Sequence, residues 1–244
     1  MCSSVLLGSV VDITPALQGY FAAPRLKSGR RMGIVVVHDV GGFGDPNCRY
    51  IVDHWASRGF EALMPDCFYD EVEPPGWPED AESDEFDEWL ANISKENFQE
   101  KCLLKVNNCI ARLKEEGCIR FGVMGFGWGG MVAERAARSG DFAVVVSVDG
   151  YGHSTATYKL TKEAAPEAVM LYMASADNKY FSLEAEEIAA AGAKVKIFQD
   201  VKEGFVAHSI SDEEVASAAD EALLFAEQVF SEACLKKSSF VKVG

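Results

Sequence analysis

The 244-residue chain has no apolar run approaching the roughly 20 residues that a membrane-spanning helix needs, and its opening, MCSSVLLGSVV, lacks the basic stretch of a secretory signal. These absences lead to the expectation of a soluble, cytoplasmic protein with no membrane partner. Basic residues are scarce. Against 38 Asp and Glu stand 23 Lys and Arg, for a formal charge of −15, so no cationic stripe is available to displace counterions from a phosphate backbone and nucleic acid is not expected as a partner. Seven cysteines are present without Cys-x-x-Cys or Cys/His metal-ligand spacing. They read as reduced thiols, mostly small core residues, with no metal site and no cofactor expected. Neither a repeat nor a linker divides the chain, which reads as a single domain over residues 1–244 with a short basic tail from about 236.

What is present is an alternation of apolar and amphipathic runs, the rhythm of a mostly parallel sheet covered by helices on both faces. Strands are expected at Leu17–Ala23, Gly33–His38, Glu61–Pro65, Arg120–Gly125, Ala143–Val148, Ala168–Ala174 and Lys194–Gln199. Runs such as IVVV and VVVSV suit strands buried on both sides. Helices are expected near Cys48–Arg58, Glu96–Glu116, Trp128–Arg138, Leu183–Ala191 and Asp212–Cys234. Gly117 is placed to end the second of these in a left-handed cap. The last opens with Ser211 and Glu214 in a capping-box pattern. One segment differs in kind: CFYDEVEPPGWPEDAESDEFDEWL (67–90) holds ten acidic residues and no basic one, with three prolines that bar a helix at its centre. It reads as a solvated loop leading into a helix. The alternative is that Trp77, Phe86 and Trp89 lie over a pocket or dock a partner.

The sequence also lacks a reacting atom where its own pattern calls for one. GFGWGG (125–130) follows a strand-like run and precedes a helix-like one, the setting of a Gly-x-nucleophile-x-Gly elbow, yet its centre is Gly127. It lies in the second of four blocks: VVVHDVGGFGDPNCRYIVDHWASRGFEALMPDCF (35–68), GVMGFGWGGMVAERAA (122–137), VMLYMASAD (169–177) and EGFVAH (203–208). In order and spacing this set resembles the dienelactone hydrolase family, including its carboxymethylenebutenolidase-like members, from about Leu17 to Phe230. The resemblance implies an α/β-hydrolase fold, a sheet of about eight strands and an active site at their carboxyl ends. It also implies a Cys at the elbow centre, an Asp after a later strand and a His opening an HGF-type loop. In this chain those positions hold Gly127, Asp177 and Glu203. The backbone N–H groups of Val40 and Trp128 are the oxyanion-hole donors the resemblance implies, and His208 stands roughly where the family often carries a carboxylate-binding Arg.

Glycine adopts the elbow's unfavourable backbone conformation without steric cost, so the turn is kept while covalent chemistry is deleted. A solvated Glu is a poor base and a worse acid near neutral pH than the His it replaces. Placed beside Asp177, Glu203 is expected to share a proton with it or to bind a cation or water. Three functions follow as expectations. The first is a non-hydrolytic pseudoenzyme that binds a small molecule or joins a larger assembly with a protein partner. The second is a non-covalent lyase, isomerase or cyclase using Asp177 and Glu203. The third is a hydrolase with its nucleophile relocated to Cys48, Cys67 or Ser175. For His38 and Asp39 a structural role at a strand end is expected, with pocket lining as the alternative. Trp128 is expected to pack at the start of its helix.

Overall fold

A computed structural model describes residues 7–26, 32–68, 84–178, 181, 184–207 and 213–235. Eight strands form one sheet: β1 (Ser9–Thr14), β2 (Leu17–Ala22), β3 (Met32–Val37), β4 (Glu61–Pro65), β5 (Arg120–Phe126), β6 (Phe142–Val148), β7 (Val169–Ser175) and β8 (Lys194–Phe198), in the order β1-β2-β4-β3-β5-β6-β7-β8. The β1–β2 and β2–β4 pairings are antiparallel, and every pairing from β4 through β8 is parallel. The helices are α1 (Pro46–Ser57), α2 (Asp84–Ile93), α3 (Glu96–Glu115), α4 (Trp128–Ala137), α5 (Thr155–Ala164), α6 (Ala185–Ala190) and α7 (Glu213–Leu235).

The central strands are apolar on both faces because both faces are covered. Along β3, Met32, Ile34 and Val36 enter the core under α1 and α7, whereas Val35 and Val37 enter the core under α2 to α6. That period-two split is what the continuous Val/Ile runs encode. The seven expected strands and five expected helices are all present, with ends displaced by one or two residues, and Gly117 has the left-handed φ of +95°. Three elements were not expected as separate: the edge strand β1, α2 and α5. Trp77, the Ser211 cap and the basic tail lie outside the described residues.

The strand-to-helix turn at residues 125–130 is a close-packed crossing. A Cβ at Gly125 would collide with the carbonyl of Gly129 in the first turn of α4. Gly127 itself has φ +48° and ψ −117° and is the N-cap of α4, with no side chain to satisfy the helix's first amides.

Candidate functional site

Asp39 supplies what Gly127 lacks. Its Oδ1 accepts hydrogen bonds from the backbone N–H of Val40 at 2.8 Å and of Trp128 at 3.0 Å. These are the two amides the resemblance makes an oxyanion hole, and here both point at a carboxylate of the same chain. A Cβ built on Gly127 would stand 2.5 Å from both Cγ and Oδ2 of Asp39. The Asp39 carboxylate therefore fills the space of an elbow side chain and caps α4 from a neighbouring loop, where an anion is favoured by free amides and the helix dipole.

The Asp39 main chain is held firmly. Its carbonyl accepts from Gly42 N at 2.9 Å and from His38 Nδ1 at 2.8 Å. His38 is fully buried, and its Nε2 accepts from the Cys67 amide at 3.0 Å. That bond fixes the proton on Nδ1, and burial holds the ring's pKa below its usual value, so His38 is a neutral brace between two strand ends. His38 thus braces two strand ends, while the Asp39 side chain reaches out of its loop to the first amide of α4.

Asp177 raises the pKa of Glu203, but two other carboxylates do so more strongly. Asp177 is exposed in the turn after β7, and it is a smaller influence on Glu203 than Asp149 or Asp39. The buried partner is Asp149, at the end of β6 with φ +50°. Its Oδ1 accepts from Ser175 N at 2.7 Å and Ser175 Oγ at 3.0 Å, and its Oδ2 from Gly204 N at 2.9 Å. It thereby ties the Glu203 loop to the sheet. Desolvation raises the pKa of Asp149 against the pull of those bonds. Glu203 is raised first by desolvation and then by the nearby Asp149, Asp39 and Asp177, while its hydrogen bond with the Tyr151 hydroxyl lowers it. Tyr151 is in turn pushed up by burial, by Asp39 and by Glu203, so its phenol stays protonated. Asp39, Tyr151 and Glu203 thus lie in one electrostatically linked cluster. Tyr151 and Asp149 lie in VDGYG, after a valine-rich strand, where an Asp followed by Gly at a carboxyl strand end was the available signal.

None of the three proposed replacement nucleophiles is poised to react. Cys48 and Cys67 are fully buried with thiol pKa values raised, Cys48 mainly by desolvation and Cys67 by its contact with Cys102 and by burial. Such thiols stay protonated. Ser175 is fully buried with its hydroxyl committed to Asp149. A further arrangement went unpredicted: Ser147 Oγ lies 2.7 Å from His153 Nε2, and His153 Nδ1 meets Glu134. It has the order of a catalytic triad but is sealed. All three residues are buried, and Cβ positions at Gly130 and Gly150 would both overlap Ser147 Oγ. With Thr161 also donating to Glu134 at 3.4 Å, the network clamps α4 to β6 and α5.

Trp128 is fully buried among Phe68 and Phe98, its indole N–H donating to the Ile93 carbonyl at 3.2 Å. Trp89 of α2 packs on Phe68 at 5.5 Å between ring centroids. These aromatics close the α2 side of the site by packing. His208 lies outside the described residues. Among the described residues no group of three or more His, Cys, Asp or Glu is arranged to hold a metal ion, and no helix is long and apolar enough to cross a membrane.

The chain is 28% identical over 117 residues to a carboxymethylenebutenolidase homolog of Xenopus tropicalis, covering 48% of this chain and 44% of that protein. It is 27% identical over 136 residues to the Homo sapiens homolog, covering 55% and 52%. The match thus spans about half the length of these curated relatives. A putative dienelactone hydrolase from Klebsiella pneumoniae subsp. pneumoniae superposes with a TM-score of 0.72 at 16% identity, over 92% of this chain and 98% of the other, which speaks for the fold. The dienelactone hydrolase family itself matches residues 17–234, and the chain belongs to that family.

Proposed function

We propose that this protein has lost the acyl-transfer chemistry of ester and lactone hydrolysis and uses the family scaffold to bind a small molecule at the carboxyl ends of β3, β5 and β6. The observation that carries the reading is the double occupancy by Asp39: one carboxylate takes up both the space of an elbow side chain and the two amides that would stabilise an acyl oxyanion. Attack by that carboxylate on an ester would give a mixed anhydride, a poor exchange for the substrate. The loss of a His at Glu203 removes the group that would activate a thiol or hydroxyl. With respect to esters and lactones the protein is a pseudoenzyme.

The test is direct. Purified protein incubated with p-nitrophenyl acetate and with a dienelactone should give no turnover above the buffer rate across pH 5 to 9. Turnover that scales with protein concentration and survives repurification would overturn the reading.

A further inference from the structure

We draw no further inference here: the strongest candidate, the side-chain cluster of Cys67 just after β4 with Cys102 and Cys109 of α3, is fully buried, with Cys102 Sγ donating to the Cys67 carbonyl at 3.8 Å, and nothing among the described residues opens it to an oxidant or a metal ion.

Discussion

At the scale of single residues, Gly127 and Asp39 depend on each other. The turn needs φ near +48°, which any side chain pays for with roughly 1–3 kcal/mol of strain, and the absent side chain is also what gives the Asp39 carboxylate room. Placing at residue 127 the Cys that the resemblance implies is therefore expected to fail twice. Gly127→Cys should lower stability by about 2 kcal/mol or more, seen as an earlier urea midpoint, and should give no p-nitrophenyl acetate hydrolysis, because its Cβ would stand 2.5 Å from Asp39 Cγ and residue 203 is a Glu, a poor base for activating a thiol. Adding Asp39→Gly removes the overlap and should recover part of the stability while still giving no hydrolysis. If Gly127→Cys alone proved as stable as the native chain, the carboxylate would not be where the amides of Val40 and Trp128 place it.

At the scale of elements, what was legible depended on whether a signal was local. The valine-rich strands, Gly117 and the elbow glycines report local backbone needs, and the fold follows from them. β1 went unexpected because an edge strand with one exposed side shows only weak alternation, Ser9 and Val10 both being exposed. α5 was missed because its short TATYKLTKEA run buries only Tyr158 and Thr161 and rests on a Ser154–Thr157 capping box. The glycine turn at 125–130 was legible and the carboxylate beside it was not, since the reach of Asp39 to an amide 89 residues away is a product of packing. His54 gives the element scale a pH test. It lies on α1, where burial first and then Arg58 lower its pKa from 6.5 to about 4, against the pull of Asp220 on α7. Between those values the unfolded chain binds a proton that the folded chain refuses, so stability is full above about 6.5 and falls as pH drops toward 4, by at most about 1.4 kcal/mol per pH unit for this one group. Because the raised Asp149 and Glu203 carboxyls act in the opposite sense, the test is a difference: from pH 7 down to 4.5 the melting temperature should change less favourably in the native chain than in His54→Gln, and an equal change in both would mean that His54 is protonated in the α1–α7 contact.

At the scale of the whole molecule, the formal charge of −15 acts on every element at once. The described ion pairs are mostly exposed, such as Lys194–Glu232 at 3.4 Å and Arg112–Glu115 at 3.0 Å, and exposed pairs contribute little. The excess carboxylates therefore repel one another across the folded body more than across an expanded chain. At about 0.01 M salt the screening length of about 30 Å is comparable to the domain, and at about 0.15 M it shrinks to about 8 Å. Sodium chloride over that range should raise the melting temperature at pH 7 by a few degrees. The gain should shrink as pH approaches the sequence isoelectric point near 4.7, where the net charge vanishes. Acid thus has two opposed effects, relief of repulsion and protonation of His54, and salt separates them. Screening removes the first because it acts between exposed charges, whereas the second arises mainly from desolvation and persists. The acid slope of stability should accordingly be steeper at about 0.15 M salt than at about 0.01 M, and a slope independent of salt would show that the surface charge does not bear on folding.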